Sequence, residues 1–401
     1  MNHSDRDGQG ALPLAGVRVV DASRVLAGPY CGAILADLGA EVIRVEHPSE
    51  PDEVRRWAPI VNDTSAPFAA MNHSKQGIAI DLAHPEGLAV FKQLLATADV
   101  LVENFRPGTL ERRGLSAEIM KELAPRLVHC SIRAFPSNTP MAMQPGYEAS
   151  MQAITGIMSS TGEEDGGPVR CAPSVVDLGT GMASVIAILA ALRVRDRTGR
   201  GQYVEPALMR TATALLGVQV ASCSATGKPS PRRGSGHEAL VPYRIFACRD
   251  GPVFIAAGND RLWPKLCSVL GLLDAAGNAP MPALAQRIAA RHEVNMLVED
   301  ATRTWQRAEL LCALGEHGVP GAPVNTVNEY LDNPAVREAG VVQDAGIDGA
   351  EVVVAGPLFA GLPTVQRTTA PKLGQHTHEV LTRLGLSNER IDALRRAGAI
   401  S

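Results

Sequence analysis

No two of the seven cysteines (Cys31, Cys130, Cys171, Cys223, Cys248, Cys267, Cys312) form a C-x-x-C pair. That spacing argues against a disulfide framework and against a zinc site, and it suits a reducing, cytoplasmic setting. A basic excess is missing too: 38 Lys and Arg against 42 Asp and Glu leave a net charge of −4. Nucleic-acid coating is thereby disfavoured, although a few local Arg and Lys could still hold an anionic ligand. The polar start MNHSDRDGQGALPL has no apolar signal core and reads as a flexible tail over 1–13. The charge-free apolar run of fifteen residues after Asp177 falls short of the ~20 that span a bilayer, so no membrane anchor is expected. There is no internal repeat and no low-complexity tract. What remains is an ordinary soluble composition, 45% hydrophobic and 20% charged, over 401 residues. That length exceeds what one core usually holds, so two domains are expected.

Period-2 and 3.6-residue patterns alternate from the start. GVRVVDAS (16–23) reads as a buried strand, AGPYCGAILADLG (27–39) as a small-residue helix and EVIRVE (41–46) as a second strand. The theme repeats with GIAIDL (77–82), a helix over 85–98, the strand DVLVENF (99–105), a helix over 116–127 and the strand VHCSIR (128–133). Such alternation predicts a parallel sheet with helices on both faces, with ligands outside the carboxyl ends of the strands. From about 146 to 226 the pattern is helical, and TGKPSPRRGSG (226–236) reads as a linker. VPYRIFACRDGPVFIAAG (241–258) reads as a hairpin turning at Arg249-Asp250-Gly251, followed by amphipathic helices to about 318. The fold class is therefore α/β. A large parallel-sheet domain, 14–225, is completed by 326–401, where a strand-like EVVVAG and two terminal helices (375–385, 387–398) stand. A smaller α+β domain occupies 226–325.

Three familiar chemistries lack their motifs. After the first strand the turn reads ASRVLAGPY, without the G-x-G-x-x-G that lets backbone approach a pyrophosphate. There is no G-x-S-x-G for a serine nucleophile and no H-E-x-x-H for a zinc hydrolase. Asp177 stands out instead, a lone carboxylate at the mouth of SVVDLGTGMASVIAILAAL (174–192). In purely structural terms it is an N-cap, accepting backbone N–H groups at the helix's positive end. Yet LGTGM places two glycines in what reads as the first turn, at a cost of ~1 kcal/mol each in helix propensity, and glycines admit a close neighbour. The same amides would favour an ionised, nucleophilic carboxylate and could stabilise an oxyanion. Capping and catalysis are compatible here, and the sequence leaves both open.

The blocks VLAGPYCGAILADLGAEVIRVEHP, VENFRPGTLERRGLS, QPGYEASMQAITG, VVDLGTGMASVIAILAALRVRDRTGRGQYVEPALM, GVPGAPVNTVNEYLDNPAVREAG and PKLGQHTHEVLTRLGL stand in one order along the chain. In that order the sequence resembles the family III CoA-transferases, over about residues 14–400. The resemblance implies a Rossmann-like large domain in an interlocked homodimer, with linkers near 226–236 and 320–326. It makes Asp177 the nucleophile. The carboxylate would attack an acyl-CoA thioester, giving a mixed anhydride and CoA thiolate. The thiolate would return to form an aspartyl-CoA thioester, which an acceptor carboxylate then reopens in reverse order. Water must be kept from the anhydride. The substrates would be acyl-CoA and a carboxylic acid, with coenzyme A as substrate and no metal, redox or permanently bound cofactor. Neither nucleic acid nor membrane is an expected partner.

By the same resemblance Arg24, Val25 and Leu26, with Asn104, Phe105 and Arg106, would wall the nucleotide site. Arg112 would hold phosphate through its planar fork, and His47 and Ile80 would line the adenine or ribose end. Taken singly, each cation could be solvated surface charge and Phe105 a core residue. Tyr147, followed by Glu148, matches the transferases, whereas related 2-methylacyl-CoA racemases place a His there. Tyr, with a free pKa of ~10, is a poor second base for a racemase; as a plain structural residue it would be buried with its hydroxyl bonded. Two blocks depart from the family. Arg133-Ala134-Phe135-Pro136-Ser137-Asn138-Thr139-Pro140 replaces a glycine-containing loop and is stiffer. Gly234-Ser235-Gly236-His237 replaces a glycine run that closes over the intermediate. GHEALVPYRIF looks closer to members using dicarboxylates, such as the succinate–hydroxymethylglutarate enzyme, which favours a dicarboxylic substrate over oxalate or formate. His237 could meet a carboxylate or simply be solvated. The alternatives are a racemase or epimerase, or a non-catalytic CoA-binding protein on the same fold.

Overall fold

The computed structural model describes residues 12–401. Of the tail read over 1–13, residues 1–11 lie outside them, and Leu14 is already buried. The chain divides into two compact units, and their boundaries differ from those read in the sequence. The first comprises residues up to 155, 172–217 and 335–401; the second comprises 156–171 and 218–334.

The first unit is built on six parallel strands: β1 Arg18–Asp21, β2 Glu41–Glu46, β3 Lys75–Ala79, β4 Val100–Glu103, β5 Val128–Ser131 and β6 Tyr203–Val204. Their spatial order is β3-β2-β1-β4-β5-β6, the doubly wound order whose direction reverses between β1 and β4. β6 was not expected, since GQYVEP was read into the helical stretch. Period-2 alternation sorts the side chains between two cores. Val19, Val42, Val100 and Val128 enter one; Val20, Ile43, Ile78 and Leu101 enter the other. Both faces are apolar because both are covered. Helices Ala27–Asp37 and Val175–Thr198 cover the first. Pro85–Ala96, Ala117–Leu123 and the terminal helices Thr377–Arg383 and Asn388–Arg396 cover the second. Each fully buried aliphatic side chain contributes about 1.5–3 kcal/mol. The terminal segment packs on the large unit, and Ile400 bridges to Ile80 beyond β3.

The helix Val175–Thr198 runs past the fifteen-residue apolar segment at both ends. By length and composition it could cross a membrane, contrary to the expectation of too short a run. Its Val185, Ile188, Ala191 and Leu192 face is, however, part of the sheet's core.

Charges are buried under the start of helix Ala27–Asp37. Asp21 is fully buried and accepts hydrogen bonds from Lys75 Nζ at 2.8 Å and from the Ser23 hydroxyl, with Arg44 Nη1 at 3.4 Å. Gly32 lets the helix close over them, since a Cβ there would lie 2.9 Å from Asp21 Oδ2 and 3.0 Å from Lys75 Nζ. Burial pulls the Lys75 ammonium down to about 8 despite Asp21. A second buried group has a clear consequence for acid stability. Burial, with Arg367 and Lys75 nearby, holds the His73 imidazole down to about 3. Asp37 lies 3.7 Å from it, but that carboxylate is taken by Arg367 at 2.8 and 2.6 Å. An unfolded His titrates near ~6.5. Below that pH the unfolded chain binds a proton that the native chain refuses, so this group's contribution falls by about 1.4 kcal/mol per unit as pH drops from ~6.5 toward 3. Urea unfolding of His73→Gln should therefore lose less stability than the parent between pH 6.5 and 5; parallel losses would refute the assignment.

The second unit holds a three-stranded antiparallel sheet of β7 Tyr243–Cys248, β8 Gly251–Ala256 and β9 Gly321–Pro323, in the order β9-β8-β7. The expected hairpin turns where predicted. β9, within GVPGAPVN, was not expected as a strand. Helices Trp263–Leu270, Arg291–Thr302 and Arg307–Glu316 pack around Phe246, Val253 and Ile255. Neither proposed linker is a boundary. Residues 226–236 lie inside this unit, where Gly234 N–H donates to Gly162 O at 2.8 Å, and 321–323 belong to its sheet.

Candidate active site

The carboxyl ends of β1 and β4, where the strand order reverses, open into a cleft of about 440 Å³ within the first unit. Arg24, Val25 and Leu26 follow β1 and form one wall; Asn104, Phe105 and Arg106 follow β4 and form the other. Asn104 ties the walls together, accepting the Arg24 N–H at 2.9 Å and donating to the Arg24 carbonyl at 2.8 Å. Glu103 Oε2 holds the Phe105 N–H at 2.8 Å, and His129 Nε2 lies 3.2 Å from its other oxygen. Asp177, Tyr147 and Glu148 line the same cleft.

Asp177 is not the N-cap. Ser174 holds that position, and Asp177 is the third residue of the helix, where the positive end still favours a carboxylate. Glu148, 6% exposed, sits over the helix start, its Oε1 accepting from Val176 N–H at 3.4 Å and from Gln152 at 2.6 Å. The two glycines fall in the second turn, and their close neighbours are protein. A Cβ on Gly181 would lie 2.8 Å from Ala27 O, and one on Gly179 would lie 2.9 Å from Thr211 Cγ2. Helix packing, rather than ligand approach, accounts for both.

Tyr147 is 69% exposed at the cleft, so it is no core residue. Phe105 is half-buried, lining the cleft while packing on the core behind. His47 and Ile80 line an adjoining cavity of about 220 Å³ that shares Arg24, Phe105 and Thr109 with the cleft. His47 Nδ1 accepts from Ser49 and Glu50 N–H at 3.2 and 3.1 Å, which turns Nε2 toward Asp81 at 3.3 Å. Arg112 lines neither cavity; its guanidinium donates to Thr109 Oγ1 at 3.2 Å, and Arg113 lines the adjoining cavity instead. Arg112 ends the short helix Thr109–Arg112 and Arg113 follows it as the C-cap, a distinction that only the geometry makes. The 133–140 loop is pinned by Arg133 O and Ala134 O, which accept from Leu208 N–H at 2.9 Å and Met209 N–H at 3.1 Å. Arg133, Ala134 and Leu208 thereby enter the cleft, none of them expected as site residues.

Gly234, Ser235, Gly236 and His237 form a loop of the second unit. Ser235 Oγ accepts from Ile245 N–H at 3.1 Å, the His237 ring meets Tyr243 edge-on, and the His237 carbonyl accepts from Arg291 at 2.8 Å. Gly236 lines that unit's own cavity of about 250 Å³ with Arg233, Arg244 and Arg291.

Residues 14–377 match the CoA-transferase family III. The chain is 36% identical over 382 residues to the succinate–glutarate CoA-transferase of Agrobacterium fabrum, covering 93% of this chain and 96% of that protein. It is also 36% identical to the succinyl-CoA:mesaconate CoA-transferase of Haloarcula hispanica, covering 92% and 96%. A solved CAIB/BAIF family protein from Brucella suis superposes with a TM-score of 0.83 at 36% identity, over 93% of this chain and 99% of that one. A cleft at the switch point of the sheet, lined by Arg24, Arg106, Arg133 and the Asp177 carboxylate, accords with these likenesses. The chain belongs to CoA-transferase family III and is an enzyme that transfers coenzyme A, with CoA thioesters as its substrates.

Proposed function

We propose that the enzyme moves CoA from succinyl-CoA to a dicarboxylic acid, with Asp177 as covalent nucleophile. The observation that carries this reading is that Asp177 and the Arg24–Leu26 and Asn104–Arg106 walls line one cleft. Relatives named for succinate or succinyl-CoA paired with glutarate, mesaconate or malate support the substrate class. In the proposed sequence an Asp177 oxygen attacks the thioester carbonyl and the C–S bond breaks, leaving a mixed anhydride and CoA thiolate. The thiolate attacks the aspartyl carbonyl; the anhydride C–O bond breaks, succinate leaves and an aspartyl-CoA thioester remains. An acceptor carboxylate attacks that carbonyl and expels the thiolate, which takes the acceptor's acyl carbon and returns Asp177 as a carboxylate. No net proton is consumed. The energy of the thioester is conserved through each exchange.

Incubation with succinyl-CoA alone should leave the Asp177 peptide heavier by CoA less one water, measured by mass spectrometry, and glutarate should discharge it. Absence of the adduct, together with exchange of the proton beside the thioester in heavy water, would favour the racemase instead. Among acceptors, glutarate, mesaconate and malate should be turned over faster than oxalate.

The working form proposed is a cytoplasmic homodimer. Cys31, Cys130, Cys223, Cys248, Cys267 and Cys312 are free thiols, which fits a reducing compartment. Met182, Ile186 and Leu189 form an exposed apolar face on the Asp177 helix opposite its buried side, with Ile186 69% exposed. Such a face fits a second copy of the chain. Light scattering should give twice the chain mass for the parent and a shift toward monomer for Ile186→Glu; a monomeric parent would refute the dimer.

A further inference from the structure

Asp52, which no sequence pattern singled out, stands behind the wall that follows β1. Only five residues separate the end of that strand at Asp21 from the helix that begins at Ala27, and Val25 makes the turn at φ +70. That is the left-handed region, which β-branched residues avoid because Cβ crowds the backbone. A neighbour must therefore hold it there. Both Asp52 oxygens face the Val25 N–H, at 3.1 and 3.3 Å. Asp52 is 1% exposed and is itself fixed, one oxygen by the fully buried Arg44 and the other by Val54 N–H at 3.2 Å. Arg24 adds a second tie, its guanidinium donating to the Glu50 carbonyl.

We propose that Asp52 is a positioning residue for acyl-CoA: by gripping the Val25 amide it keeps the Arg24–Leu26 wall in its binding-competent turn. The proposal rests on the assignment of that wall to CoA made above. Asp52 does not line the Asp177 cleft; it borders a neighbouring cavity of about 420 Å³ that shares Arg24, Val25 and Tyr147 with it, and at 1% exposure it presents almost no surface there. Its oxygens are instead spent on Val25, Val54 and Arg44. It acts through Val25, so its removal weakens binding of the CoA half of the reaction and leaves the chemistry at Asp177 intact.

Asp52→Ala should raise the KM for succinyl-CoA and the calorimetric Kd for CoA about tenfold, equal to about 1.4 kcal/mol, while kcat and the acceptor KM stay within about threefold. Adding Val25→Gly should restore part of the lost affinity, because glycine adopts φ +70 without the Cβ crowding that the clamp opposes. Asp52→Asn keeps one acceptor for Val25 and should fall between Ala and the parent; if the Ala variant does not fold, Asn alone must show the same KM-against-kcat split. CoA affinity within about twofold of the parent would overturn the proposal. So would a joint loss of kcat and both KM values that Val25→Gly does not repair, the mark of a merely structural side chain. Failure of the Asp177 adduct in the parent enzyme would instead strike the reading of the cleft.

Discussion

Asp177→Ala is expected to lower kcat by roughly 10⁴-fold or more, the loss that removal of a covalent nucleophile brings. Among the described residues, no other carboxylate on the cleft is placed to take over. Glu148 also lines the cleft, but it is buried against Val176 N–H and Gln152. The variant should still bind CoA with nearly the parent's Kd, because the walls are held by Asn104, Glu103 and Asp52, none of which depends on Asp177 for the contacts described. Steady-state kinetics and calorimetry on one preparation separate the two quantities. A residual kcat above about 1% of the parent would rule out attack by this carboxylate, since covalent catalysis cannot survive loss of its nucleophile at that level.

The second large effect is on stability. Asp21→Ala should destabilise the fold by about 3–5 kcal/mol, because it strips the counter-charge from a buried ammonium. Arg44 keeps Asp52 and Glu46 as partners, whereas Lys75 is left with the Pro29 carbonyl at 2.7 Å and Asn72 Oδ1 at 3.0 Å. The penalty thus sits mainly on Lys75, and Lys75→Met in the Asp21→Ala background should recover about 2 kcal/mol or more. Urea midpoints at pH 7 measure both. A double variant no more stable than Asp21→Ala would show that the loss lies elsewhere in the cluster.

The architecture of the first unit was readable because its strands are short apolar runs separated by helices of 3.6-residue period; the second strand was placed at its observed limits, 41–46. β6 and β9 escaped for a common reason. A strand of two residues, or one spelled Gly-Ala-Pro, has no side-chain period to detect and exists only through pairing with a neighbour. Residues 156–171 were assigned to the wrong unit because helical pattern says nothing about which core a segment joins.

At the site, the residues carried by whole blocks, Asp177 with Arg24–Leu26 and Asn104–Arg106, came together in one cleft. Those that depend on local side-chain direction or on a partner far along the chain did not declare themselves: Arg113 rather than Arg112 lining the adjoining cavity, Glu148 over the helix end that Asp177 was expected to cap, and Asp52 behind Val25. Order along the chain settled which carboxylate was the candidate and which loops would flank it, since these follow from strand ends and local spacing. Which side chains face the cleft, and what holds the loops in place, was decided only by folding. Contacts such as Asp52 to Val25 or Asn104 to Arg24 join residues 27 and 80 positions apart, and no local pattern encodes them.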